Sequence, residues 1–428
     1  MNLMETQMRI VSTIMYTVLL ALSPIPASGE TVRIGFDDLE RIALERSPRA
    51  ALIEREYEIS AAARDRLLSW SNPELAAELE RVGKGDTEER EYVLLLEKEI
   101  TTPWVASAER AAGNLRVESA ARSSLSSRRA LLAGIRRGYV RLRMLDEEIS
   151  ILEGFDEILS EASRISEARL REGAISGIEK RLVGLSLLGV RSRLTATKGE
   201  RRAVLAGWKE TMGIAPEDTV VLETPIDITP AGSPALDIES LAGGMESTAA
   251  LESARLGVEA LQRDVAARRG GVLPSISIGG GYKNAGDDMD GFVIGVSMPL
   301  PLLNRGSGAI DEAEARLAAA RRRYELLERS RRRRIEQAAA TVSDRLETLD
   351  LFGGYVEGRE GQTRDIVLSY REGWMSFGGL LEGIRLYNDS IETYFDILEQ
   401  YHDAVFELEE LTERYLYEPA PAGGKDQR

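Results

Sequence analysis

The chain of 428 residues is long enough for two ordinary domains, and its 71 acidic against 55 basic residues leave a formal net charge of −16. That acidity argues against a nucleic-acid partner, because affinity for phosphate comes mainly from clustered cations. Zero cysteines and one histidine exclude disulfide frameworks, thiolate metal sites, cysteine nucleophiles and a lipid-bearing cysteine, and a Ser-His-Asp triad would have to use His402, whose surroundings offer no support.

In chain order, residues 1–29 read as a secretory signal peptide. A polar start ending at Arg9 precedes an apolar stretch from Ile10 to Leu22, and Ser23 to Gly29 supplies a break with small residues. That apolar stretch is too short to span a bilayer as a helix, and no other segment approaches the ~18 apolar residues such a span needs. Phe36 to Ser69 is expected as one helix, capped by Asp37 or Asp38 and stopped by Asn72-Pro73. The period then changes. Segments 74–82 and 92–100 are strand candidates joined by a polar loop, although Leu94-Leu95-Leu96 would place apolar groups on both faces. Val105 to Arg171 reads as a very long helix that turns at Gly173 and returns from Ile175 to Met212. Glycine there permits the positive φ a tight helix–helix turn needs. A proline-rich connector, Gly213 to Pro234, carries Val220-Val221-Leu222 as a short strand candidate.

The pattern then repeats two hundred residues on. Arg171-Glu172-Gly173-Ala174-Ile175-Ser176 returns as Arg371-Glu372-Gly373-Trp374-Met375-Ser376, and Pro73 and Pro103 answer to Pro274 and Pro301. A tandem duplication of this size governs the whole fold. It divides the chain into a first repeat over 30–233 and a second over 234–416, with a disordered tail over 417–428. Strands at 275–282 and 292–300 alternate more cleanly than their counterparts. Ile276, Ile278 and Tyr282 share one face, opposed by Ser275, Ser277, Gly279 and Gly281. Phe292, Ile294, Val296 and Met298 likewise oppose Val293, Gly295 and Ser297. One apolar and one small or polar face suit a strand with lipid outside and water inside, so these four residues are candidates for a lipid-facing surface. Four strands cannot close a barrel, and hydrocarbon does not tolerate open edges, so several protomers would have to share one.

Ser307 to Arg371 forms the second long helix, with a seam at Ile310, Ala313, Leu317, Ala320, Tyr324 and Leu327 that suits interlocked helices. Its arginine runs, 321–323 and 331–334, sit among Glu325, Glu328 and Glu336 and read as a salt-bridged helix face. Gly379 to Leu416 returns from the second tip. Gly279-Gly280-Gly281 follows a strand but opens onto another strand, so it is no dinucleotide fingerprint. Neither an enzyme activity nor a cofactor is expected.

These residues resemble one family, the TolC-type outer-membrane efflux proteins (outer membrane factors). The carrying segments are Ser71-Asn72-Pro73-Glu74-Leu75, Leu273-Pro274-Ser275 through Tyr282, Val296-Ser297-Met298-Pro299-Leu300-Pro301-Leu302-Leu303-Asn304-Arg305-Gly306 and the two Arg-Glu-Gly tips. The start Asn72-Pro73-Glu74-Leu75 with Ala76-Ala77-Glu78-Leu79-Glu80 is similar to the heavy-metal-efflux branch. The resemblance implies a mainly α fold of duplicated long helical hairpins, an α-barrel tunnel, plus four strands per protomer in a shared trimeric β-barrel. It further implies an outer-membrane location, a homotrimer, a periplasmic adaptor (membrane fusion) protein and an inner-membrane pump of the resistance-nodulation-division type. Adaptor docking would fall on the tips: Arg171, Gly173, Ile175 and Ser176, with Arg371, Gly373, Trp374, Met375 and Ser376. In some members aspartates beyond the second tip form an acidic constriction. Here only Glu179 and Glu382 stand in those stretches, and three copies of either would make an acidic pore ring.

Two alternatives carry different signatures. A periplasmic adaptor would show a single hairpin flanked by β-rich modules. A soluble coiled-coil structural protein of the envelope would leave the two-faced strands without a purpose.

Overall fold

A computed structural model describes residues 29–84, 87–223, 226–227, 238–272, 275–284, 289–356, 365, 368–417 and 420–421. The signal-peptide segment, 1–28, lies outside the described residues. After strand β1 (Thr31–Ile34) come helices α1 (Leu39–Arg46) and α2 (Pro48–Leu68). The single helix expected over 36–69 is therefore two. Ser47 precedes a proline, which disfavours the helical region, and it adopts an extended ψ of 124°. The interruption is anchored: Ser47 Oγ donates to the Thr211 carbonyl at 2.6 Å.

Strands β2 (Glu74–Lys84) and β3 (Thr87–Thr101) pair antiparallel in a hairpin longer than expected. Much of the supposed polar loop is ladder, with Gly83 opposite Glu88 and Lys84 opposite Thr87, because the alternating backbone groups there find partners across the hairpin. Helix α3 (Pro103–Arg171) has 69 residues, about 100 Å at ~1.5 Å per residue. It turns into α4 (Gly177–Met212). Strand β4 (Thr219–Leu222) confirms the short strand in the connector and pairs parallel with β1. Next come β5 (Ile226–Asp227), α5 (Ile238–Gly243), a short 3₁₀ turn (Gly244–Ser247) and α6 (Ala249–Gly270).

Strands β6 (Ser275–Asn284) and β7 (Asp290–Ser297) follow, then α7 (Ser307–Val356) and α8 (Phe377–Thr412). Residues 368–371 are helical at the second tip, and the stretch 357–364 lies outside the described residues. Strand β7 stops at Ser297, so Met298 falls beyond the strand rather than within it. Pro299 and Pro301 lack the N–H that a continued ladder would need. Of the tail expected over 417–428, residues 418–419 and 422–428 lie outside the described residues, and the described ones are in contact with the body. Tyr417 is buried against Phe36 and His402, and Ala420–Pro421 forms β8, which pairs with β5.

Helix α3 packs on α4 and α6, α7 on α8 and α6, and α2 on α3. The main core lies midway along this bundle, where Ile135, Tyr139, Leu142, Trp208, Met212, Ile335, Val342 and Phe406 are buried together. Trp208 belongs there because its indole N–H, costly to bury alone, donates to the Ile135 carbonyl at 2.9 Å. A second cluster near the tips joins Leu152, Phe155, Leu159, Val183, Val190, Tyr370, Leu380 and Ile384. The seam expected along α7 holds: Ala313 is buried, and Ile310, Leu317, Ala320, Tyr324 and Leu327 are the partly covered residues of their turns. The arginine run is salt-bridged, as expected, though mostly to α8. Arg331 donates to the Leu411 and Glu410 carbonyls, and Arg334 pairs with Glu407 at 2.9 Å. His402 is buried between the rings of Tyr401 and Tyr417. No helix among the described residues is long and apolar enough to cross a membrane.

Candidate functional site

Two regions stand out, one at each end of the molecule. The first is the antiparallel sheet, in the order β2-β3-β6-β7, with β2 and β7 as its open edges. Residues directly opposite in such a ladder share a face. The register therefore sorts every side chain. Leu75, Leu96, Gly280 and Ile294 form one row, Ala77, Leu94, Tyr282 and Phe292 the next, and Lys98, Ile278 and Val296 a third. Leu79, Tyr92, Ile100 and Ile276 extend the same face. This apolar face is the open one: Phe292 is 93% exposed, Ile294 83% and Val296 70%.

The opposite face carries Glu74, Glu97, Gly279 and Gly295 in one row, and Glu99, Ser277 and Ser297 in another. Glu78, Glu80 and Glu91 complete it, with Lys283 reaching Glu91 at 2.7 Å. Along β3, β6 and the middle of β7 this polar face is the less exposed of the two, so the sheet curls toward that side, with Glu91 and Glu97 partly covered and Glu74, Glu78, Glu80 and Glu99 exposed. A water-soluble hairpin does the reverse and buries the apolar side. The ambiguity at Leu94-Leu95-Leu96 is thereby settled. Leu94 and Leu96 point with the apolar face, while Leu95 lies opposite Gly281 and Ala76 on the other.

The six glutamates of the polar face were not singled out in the sequence. Their signal was present, since Glu78 and Glu80, like Glu97 and Glu99, are two apart and must share a face of a strand. It becomes legible only once the strands are paired.

The second region is the pair of helical tips, at the far end of the long hairpins. Gly173 and Gly373 take φ of 73° and 81°, the left-handed conformation that a side chain would resist. Their turns close through Gly173 N–H to the Leu170 carbonyl at 3.0 Å, and Trp374 N–H to the Ser369 carbonyl at 2.9 Å. Ser176 and Ser376 then start the returning helices. Each hydroxyl accepts a backbone N–H, from Glu179 at 3.2 Å and from Gly379 at 3.1 Å. The two tips are also tied to each other. Arg169 donates to the Tyr370 and Arg371 carbonyls at 3.0 and 3.3 Å and lies 4.5 Å above the Tyr370 ring. Arg169 thus joins the helix ends, a role that no local pattern around it marks.

The tip residues differ in how far they are free. Arg171 and Arg371 are exposed, Ile175 is half-buried, and Met375 and Phe377 pack onto the tip core beside Tyr370. Trp374 alone stands out, at 85% exposure. The two candidate ring carboxylates are both engaged. Glu179 accepts the Ser176 backbone N–H at 2.6 Å, closing a capping box, and so serves the start of its own helix. Glu382 pairs with Arg385 at 2.9 Å, a hydrogen bond and a charge that hold its carboxyl below the usual range.

Solved structures share this architecture. The chain is similar to the outer-membrane channel OprN, at 16% identity over 88% of this chain and 89% of that one, with a TM-score of 0.76. It is similar to the outer membrane protein VceC of Vibrio cholerae, at 15% identity over 88% and 95%, TM-score 0.71. The open state of the MtrE outer membrane channel of Neisseria gonorrhoeae gives 15% identity over 88% of each chain, TM-score 0.69. No protein-family model and no curated protein matches the chain. The fold is therefore that of the outer-membrane channels: long helices forming the bulk of the protomer and a small sheet at one end, as the sequence resemblance implied.

Proposed function

We propose that this protein is the outer-membrane duct of a tripartite efflux system, a passive trimeric channel with no chemistry of its own. The observation that carries this reading is the sheet turned outside in, with a strongly exposed apolar face, an acidic face that is the less exposed of the two along β3, β6 and mid-β7, and two open edges. Three copies joined edge to edge would close the barrel, give lipid the apolar face and give water the glutamates. Protomer contact would also cover the exposed apolar residues of α4 (Ile178, Leu182, Leu185, Leu188) and α2 (Leu52, Ile59).

In this reading residues 30–233 and 234–416 are two copies of one unit, each giving two strands and one hairpin. The tips meet a periplasmic adaptor, with Trp374 as the anchor, and the adaptor links the duct to an inner-membrane pump of the resistance-nodulation-division type. Cations are favoured in the lumen because, among the described side chains, six carboxylates per protomer lie on the sheet face that would turn inward, with Glu179 and Glu382 adding to the field at the tips. The test is fractionation of cells making the full chain. Detergent-extracted outer-membrane material migrating as a trimer, and conducting in planar bilayers, is the expected result. A soluble monomer in the periplasm would overturn the reading.

A further inference from the structure

Near the turn of the β2–β3 hairpin, two like-charged pairs face opposite ways. Glu80 lies opposite Glu91 on the polar side, and one residue on, Arg81 lies opposite Arg90 on the apolar side, beyond the row of Leu79 and Tyr92. Both arginines are exposed. Strand β6 accompanies β3 only as far as Tyr92 opposite Asn284, whereas β2 and β3 stay paired as far as Lys84 and Thr87. The arginine pair therefore stands on a two-stranded extension, past the four-stranded wall and at the end away from the helices.

Strand length sets the depth of that pair. From Tyr92 to Ile100, both on the apolar face, β3 advances about 26 Å at ~3.3 Å per residue. A strand tilted by ~40° converts this to roughly 20 Å along the membrane normal, close to the ~25 Å apolar band of such barrels. A lipid-facing arginine is costly at the midplane and nearly free at the boundary, which is where the position after Tyr92 on this face falls. Two like charges directly opposite each other destabilise a hairpin standing alone. An anion held between them reverses the sign, and a guanidinium is a planar fork that grips phosphate oxygens in pairs.

Resting on the duct reading, we propose that Arg81 and Arg90 clamp a phosphate of the acylated glycolipid of the outer leaflet, the phosphorylated glucosamine of lipopolysaccharide, whose acyl chains lie along Leu79, Tyr92 and Leu94. With the helices in the periplasm, this end of the sheet belongs to the cell exterior, so outer-leaflet lipid is what reaches it. The apolar side chains below the pair supply the surface for the chains, and the arginine stems lie along it while their heads rise to the phosphate. Glu80 and Glu91, on the opposite face, do not compete for the headgroup. The clamp ties the hairpin extension to the membrane and makes its attachment depend on the phosphorylation of the lipid.

The full chain, extracted in detergent, is titrated with bisphosphorylated lipid A, with the same lipid stripped of phosphate, and with inorganic phosphate, and bound lipid is counted by native mass spectrometry. The phosphorylated lipid should bind roughly tenfold or more tightly than the stripped one. Arg81→Gln with Arg90→Gln should erase that preference, and inorganic phosphate should not displace the lipid. A preference that survives the double change overturns the clamp. Displacement by inorganic phosphate alone would make this a free-anion site, and the lipid assignment would be wrong. Should the double variant fail to assemble, the unaltered chain decides: equal binding of the two lipids refutes the clamp. A spin label on Phe292→Cys in vesicles tests the duct separately. Access of a water-soluble nickel chelate to that label sinks the duct reading and the clamp with it, whereas a label buried in lipid beside a chain without lipid preference sinks the clamp alone.

Discussion

Truncating Glu409 tests how the bundle is locked at its centre. Its side chain is 2% exposed, yet it carries a carboxylate. That carboxylate accepts from Arg136 at 2.8 Å and from the backbone N–H groups of Leu416 and Tyr417, both at 2.7 Å. Arg136, itself 12% exposed, also donates to the Tyr417 carbonyl and lies 4.4 Å over the Tyr415 ring. One pair therefore fastens the turn after α8 to the middle of α3. Glu409→Ala would strand a guanidinium and two buried N–H groups, and removing one partner of a buried pair costs ~3–5 kcal/mol. Because that loss falls on local opening, hydrogen exchange at Leu416 and Tyr417 is the apt measurement. A cost of ~3 kcal/mol corresponds to roughly a hundredfold faster exchange, at ~1.4 kcal/mol per decade. Glu409→Gln, whose amide oxygen can still accept from the two N–H groups, should keep a large part of that protection. If Glu409→Ala left the two amides exchanging as before, or if Glu409→Gln lost as much protection as Glu409→Ala, the lock would be misassigned.

Other perturbations probe the remaining parts. Ile294→Arg, at mid-sheet on the apolar face, should destabilise the inserted barrel by ~2–4 kcal/mol, whereas Gly295→Arg should insert normally and alter conductance; equal tolerance in a membrane unfolding assay would remove the sheet from lipid. Glu97→Gln with Glu99→Gln should reduce cation preference in planar bilayers more than Glu179→Gln with Glu382→Gln, whose carboxylates are already engaged; an unchanged reversal potential for both pairs would contradict an acidic lumen. Trp374→Ala should abolish efflux while leaving trimer yield intact, and a loss of trimer along with export would return Trp374 to a packing role. Burial pushes Glu413 upward, but N–H groups of Ala249 and Ala250, the Ser126 hydroxyl and the Arg331 charge outweigh it and hold the carboxyl below its usual range. The stability it contributes is present above the ordinary glutamate range and is lost as pH falls through its lower folded value. Glu413→Gln should therefore flatten the acid limb of a melting-temperature profile, and an unaltered limb would show that another group governs it.

The sequence by itself determined the kinds of element, and much of their order. A helical period sustained past sixty residues, a change to alternation beside Asn72-Pro73, and a glycine after Arg-Glu at both tips each reflect local chemistry, which a single segment carries. The break at Ser47-Pro48 is equally local, but the pattern on both sides of it is helical and masks it. The early end of β7 at Ser297 follows from Pro299 in the same way.

Tertiary structure decided whatever depends on a partner distant in the chain. Glu97 and Glu99 are ordinary charged residues of a mixed segment until β3 lies between β2 and β6, when register places them on the polar face with Gly279 and Ser277. Arg169 became a link between tips only when the helix ending at Arg371 came to lie beside it. Arg136 and Glu409 sit 273 residues apart, and nothing in either neighbourhood marks them as a pair. Period, capping and turn chemistry act over a few residues and are written in the order of the chain, whereas the register of a sheet and the pairing of buried charges are settled by packing.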